Sequence, residues 1–216
     1  MTPEERKKRT EKLLDEKGIL VNQSIPALKD ASEIKLKSFD DICKRTIAAL
    51  LSTQAAIELS DNNPDGAEKF RRLVIYFGVE DCLNNCETHV INNDDPEPFI
   101  EDAVWEYESC WALFWVLGLV DDITDAGRIC DCEKAIRFVS QCESFEDFKS
   151  QCKLRSIDEI LDMLDLYYRY HWATIEHKHI PFKSAGDLDE DIVYERRRGL
   201  EWLARDVDDW HDIPLE

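Results

Sequence analysis

The sequence predicts an all-α protein, a single multi-helix domain built around one central tryptophan-rich helix. Three observations lead there. The stretch 103–120, AVWEYESCWALFWVLGLV, holds three of the six tryptophans, and no residue from Ser109 to Val120 is charged. Its length favours a buried helix over a strand. Elsewhere, apolar residues recur at three- and four-residue spacing, whereas strand-like alternation and hairpin turns are absent. Helix starts are also written into the chain. The clearest is Ser156-Ile157-Asp158-Glu159, a capping box in which serine and glutamate satisfy each other's orphan N–H groups.

Taken in order, residues 4–17 form a charged helix stopped by Gly18. Residues 19–37 are irregular, with Pro26 breaking any helix. Ser38 caps the next helix, whose stripe is Ile42, Thr46, Ala49, Leu50 and Ile57. Asn62-Asn63-Pro64-Asp65-Gly66 reads as a turn. Phe70, Leu73, Val74 and Phe77 then mark a helix ended by Gly78. Residues 92–98, NNDDPEP, are the clearest loop and the one weak boundary within a domain spanning 1–216. The central helix follows, with Gly118 near its end and 124–127 as a linker. Short helices are expected over 133–141 and 145–152. The capping box opens a long helix to about His177, ended by Pro181, and a last helix runs over 189–205.

Acids number 47 against 27 bases in 216 residues, a formal charge of −20. That balance disfavours nucleic acid, since phosphate binding rests on Lys and Arg. It suits a soluble chain and a basic partner. The central run is too short for a bilayer, which takes ~20 apolar residues, so no membrane association is expected. The eight cysteines suggest disulfides only in an exported chain. The start, MTPEERKKRTEKLL, has no apolar signal core, so a cytoplasmic protein with free, packed thiols is expected.

Candidate site residues come from charges set in apolar stripes. Glu108 shares a helical face with Val104, Trp111 and Trp115. A carboxylate there must be paired, hydrogen-bonded or protonated. On the last helix, Arg196 lies in the stripe of Ile192, Gly199/Leu200 and Leu203. On the long helix, His171 lies among Ile157, Ile160, Leu161, Leu164, Tyr168, Trp172 and Ile175. Arg169 can pair with Asp165 at four-residue spacing. The expectation is that Glu108 and Arg196 meet in the interior, with His171 or Arg169 nearby. Of Arg196-Arg197-Arg198, the first is read as buried and the other two as solvated.

Metal signals are weak. Cys82-x-x-x-Cys86-x-x-His89 and Cys130-x-Cys132 lack the two-residue cysteine spacing of closed zinc sites. His177-x-His179 beside Glu176 could hold a divalent ion at a helix end. Asp187-x-Asp189-x-Asp191 has Ile192 where a calcium loop needs glycine. There is no phosphate-binding loop, dinucleotide fingerprint or nucleophile elbow. No metal or cofactor is expected, and no oligomeric state is implied.

Several segments together resemble a bacterial family called domain of unknown function 4272. They are 9–19, Trp105-Glu106-Tyr107-Glu108 with 111–118, Cys130-Asp131, Tyr168-Arg169-Tyr170-His171-Trp172, and 193–203. Order and spacing match from about Arg6 to Asp212. The resemblance implies a compact, mostly helical cytosolic protein with no assigned activity. Its motif positions include Glu108, Arg169, His171, Trp172, Arg196 and also Glu195. Gly199 stands where alanine is expected, which would leave room beside Arg196.

Two functional readings follow. The first is a non-enzymatic acidic binding protein with a basic protein partner, such as a toxin neutralised by an immunity-like protein. The second is an enzyme or small-anion receptor. In it Arg169 or Arg196 holds an anionic group, His171 moves a proton beside Glu108, and Tyr168, Trp172 and Glu195 line the cleft.

Overall fold

The computed structural model describes residues 1–180 and 184–215. Those residues form α1 (Pro3–Glu16), α2 (Phe39–Ser60), α3 (Pro64–Phe77), α4 (Asn85–Asn92), α5 (Ile100–Val116), α6 (Cys132–Ser140), α7 (Phe145–Gln151), α8 (Ile157–Glu176) and α9 (Glu190–Trp202). No strand occurs among the described residues. Pro181, read as the terminator of the long helix, lies outside them.

The helices stack as α3 on α2, α2 on α5, α5 on α9, α9 on α8 and α8 on α1. The tryptophan-rich helix is therefore interior, and from Glu106 to Val116 every residue of it is buried. It stops at Val116 because Gly118 turns left-handed (φ +74°), and a side chain at that position would press on the Lys153 carbonyl at 2.8 Å. The uncharged run continues past the helix as a turn that buries Leu117 and Val120, held by Lys153 N–H donating to Leu117 O. Among the described residues, no helix is long and apolar enough to cross a membrane.

Local signals explain most boundaries. Thr2 and Glu5 form a capping box on α1, Ser38 caps α2, and Ser156 with Glu159 caps α8. Two boundaries differ from the sequence reading. Pro64-Asp65-Gly66 is the first turn of α3, because Asn63 caps it and proline suits the N1 position. Helix α4 was not expected, although Asn84 and Glu87 form a capping box on it.

The long helix also differs. Ile175 is 37% exposed, while Asp165, Leu166, Tyr167 and Tyr170 on other faces are buried. The reason is that α8 sits between α1 and α9, so it buries two sides rather than one stripe.

Candidate functional site

Helices α5 and α9 approach closely because Gly199 has no side chain. A Cβ there would lie 2.6 Å from the Ser109 carbonyl oxygen. Gly199 thus makes room for the backbone of α5, not for Arg196. Ser109 Oγ sews the crossing by donating to Glu195 O at 2.7 Å and Glu195 Oε2 at 2.8 Å.

One residue before Ser109, the Glu108 carboxylate receives Arg196 Nε at 2.8 Å, with both side chains at most 3% exposed. The other Glu108 oxygen accepts the Cys130 N–H at 2.6 Å. Arg196 Nη1 donates to Asp125 O at 2.6 Å, Ile123 O at 3.2 Å and Tyr167 Oη at 3.2 Å, while Nη2 donates to Arg128 O at 3.1 Å. Tyr167 Oη donates in turn to Ile123 O. Burial opposes the charge on Arg196, but Tyr167 and Glu108 outweigh it and hold the guanidinium protonated. The acid and base expected to meet do so. Their remaining hydrogen-bonding capacity grips the loop that links α5 to α6.

Arg169 is elsewhere. It pairs with Asp165 at 3.0 Å and Glu11 at 3.3 Å, where α8 meets α1. His171 faces neither Glu108 nor Arg196. Its Nδ1 lies 2.5 Å from Arg197 Nη1, and its ring meets the Tyr194 ring edge at 5.4 Å. Burial and the Arg197 charge push the His171 pKa down to about 4, so the imidazole is neutral and accepts the guanidinium N–H. Trp172 is half-buried against the core. Tyr168 carries the Arg197 guanidinium over its ring at 4.6 Å and lines a cavity of about 540 Å³.

Glu195 is buried and, besides Ser109, pairs with Arg198 at 3.0 Å. Burial pushes its carboxyl above the usual range, while Arg198 and Ser109 pull it back. Arg197 and Arg198, expected in solvent, are only 4% and 9% exposed. The correction has a simple cause. Helix α9 is enclosed by α5 and α8, so its flanks are interior too. There the guanidinium groups stack on Tyr168 and Tyr194 and pair with Glu201 and Glu195.

A second buried ionic cluster escaped the sequence reading. Arg45 of α2 makes a two-pronged pair with Glu87 of α4, using Nη1 to Oε2 at 2.6 Å and Nη2 to Oε1. Its guanidinium lies 4.0 Å from the Trp210 ring centre. Glu106 completes the cluster, accepting Asn84 Nδ2 at 2.7 Å and Trp210 Nε1 at 3.1 Å, with His211 Nε2 at 3.4 Å. Burial first, then the Glu87 charge, drives the Glu106 carboxyl far above the usual range. The overlooked signals were Arg45 one turn after Ile42 and the Asn84-x-x-Glu87 capping box.

The metal candidates have other partners. His177 Nδ1 contacts Thr174 O at 2.7 Å, His89 Nδ1 contacts Asp94 O at 2.8 Å, and Asp189 caps α9. Among the described residues, no three His, Cys, Asp or Glu side chains are grouped to hold a metal ion. All eight cysteines are free thiols, with Cys130 Sγ 3.9 Å from Cys132 Sγ.

No curated protein and no solved structure matches the chain. One family model does, and it spans residues 6–213, including Glu108, Arg196 and the Arg45 cluster. The chain belongs to the family described as Domain of unknown function (DUF4272).

Proposed function

We propose that the protein is a non-enzymatic binding protein that uses an acidic surface to hold a basic protein partner. The observation that supports this most is what the Glu108–Arg196 pair grips. The clamped loop exposes Asp121, Asp122, Asp125 and Asp131. Beside it, the start of α9 exposes Asp187, Asp189 and Asp191, tied on by Asp189 N–H donating to Ala126 O at 2.9 Å. A side chain at Gly127 would collide with Asp187 O, so the two acidic loops lie in direct contact. Fixed like charges of this kind cost self-repulsion unless a complementary surface covers them, and they steer a basic partner. A cytoplasmic, immunity-like protein facing a basic toxin is one form of this reading. The buried ionic groups agree with it, since Glu108 and Arg196 are closed to solutes.

Immobilised protein, exposed to native lysate at low and high salt, tests the proposal. A basic protein retained at low salt, released at high salt and lost on the Asp121→Asn/Asp122→Asn/Asp125→Asn variant is the expected result. Retention indifferent to those three substitutions, or no basic protein at low salt, would overturn it.

A further inference from the structure

The cavity beneath Tyr168 is separate from the acidic rim and is lined by apolar and mixed-charge side chains. It measures about 540 Å³ and is walled by Leu28, Ile34, Leu161 and Leu164. That volume falls in the range of small-molecule sites, ~300–1,000 Å³. Its charged lining comprises Lys29, Arg197 and Arg205 against Glu201 and Asp206, so cations are in excess although the whole chain carries −20.

The cations are placed rather than scattered. Arg197 is fixed against the Tyr168 ring and by the neutral His171, which orients the guanidinium without cancelling its charge. The single Glu201 carboxylate is shared by Arg197 at 3.5 Å and Arg205 at 3.2 Å. A guanidinium offers a carboxylate charge-assisted hydrogen bonds, and the aliphatic walls suit an apolar body. We propose that this cavity binds a small organic anion with an apolar chain or ring and one carboxylate, its anionic end toward Arg197 and its apolar part along Leu28, Ile34, Leu161 and Leu164.

The test uses octanoate, octanol and acetate as probes, titrated into the full chain by calorimetry. Octanoate is expected to bind saturably. Octanol, lacking the charge-assisted hydrogen bonds, should bind about 10- to 100-fold more weakly. Acetate, lacking the apolar body, should show no saturation. Arg197→Gln should lose octanoate. Because removing a buried arginine can unfold the chain, two further variants carry the result. Ala204→Trp fills the cavity from its rim, and Lys29→Glu reverses a charge at an exposed position. Both should melt like the parent, Ala204→Trp losing octanoate and Lys29→Glu weakening it. Absence of saturable octanoate binding would overturn the proposal. So would equal affinity for octanol, or octanoate binding untouched by Ala204→Trp. None of these outcomes depends on the basic protein partner.

Discussion

Replacing Glu108 by alanine leaves the Arg196 guanidinium in an interior where it is 2% exposed, with its Nε donor bare. It also strips the Cys130 N–H of its acceptor. Losing a charge-assisted hydrogen bond costs about 1.5–3 kcal/mol, and a stranded buried N–H about 1–3 kcal/mol. The sum agrees with the roughly 3–5 kcal/mol expected when one partner of a buried ion pair is removed. Arg196 keeps its bonds to the Ile123, Asp125 and Arg128 carbonyls, which holds the cost to that range. For a chain of this size, about 2–4 °C is lost per kcal/mol, so the melting midpoint should fall by about 6–20 °C. Glu108→Gln retains an acceptor for Cys130 and should cost less. Arg196→Met combined with Glu108→Gln should cost less than the two single changes added, with a coupling of about 2–3 kcal/mol. A midpoint for Glu108→Ala equal to the parent's would refute the reasoning.

Three further outcomes follow from the geometry. Gly199→Ala should destabilise, because a Cβ 2.6 Å from Ser109 O forces α5 and α9 apart; overpacking costs about 1–3 kcal/mol, more than the ~1 kcal/mol alanine gains in helix propensity. A denaturant midpoint at or above the parent's would show that the crossing can yield. Glu106→Gln should melt above the parent once the pH exceeds 4.5, the ordinary value for the carboxyl. The raised native pKa means the folded chain holds a proton that the unfolded chain releases, so parent stability declines with rising pH and the glutamine variant escapes that decline. Parallel pH profiles for the two proteins would contradict this. His171 works with the opposite sign. Its native pKa of about 4 lies below the ordinary 6.5, so the unfolded chain binds the extra proton and stability drops as pH falls through that window. His171→Gln keeps an acceptor for Arg197 and should show a shallower drop, and an equally steep one would count against a neutral buried imidazole.

The sequence revealed the Glu108–Arg196 pair because each charge interrupts an apolar stripe, and such a charge needs a partner when the stripe is buried. It revealed the Arg169–Asp165 pair for a more local reason, a four-residue spacing on one helix. What it did not reveal depends on helices being enclosed on several sides. The stripe reading assigns one buried face per helix, so it put Arg197 and Arg198 in water, whereas α9 lies between α5 and α8. The same reading grouped His171 and Arg169 with Arg196, although the two point to different neighbours of α8. The Arg45–Glu87–Glu106 cluster brings together three helices, and α4 carries one of its members, so leaving α4 out hid the site. Gly199 could be recognised as unusual, but its reason, the Ser109 carbonyl, sits on another helix.

Amide hydrogen exchange at Cys130 examines the latch itself. Its N–H donates to Glu108, so in the parent it should be strongly protected, and in Glu108→Ala or Arg196→Met its exchange should accelerate while the α5 amides stay slow. Unchanged protection of Cys130 in both variants would contradict the claim that this buried pair holds the acidic loop in place.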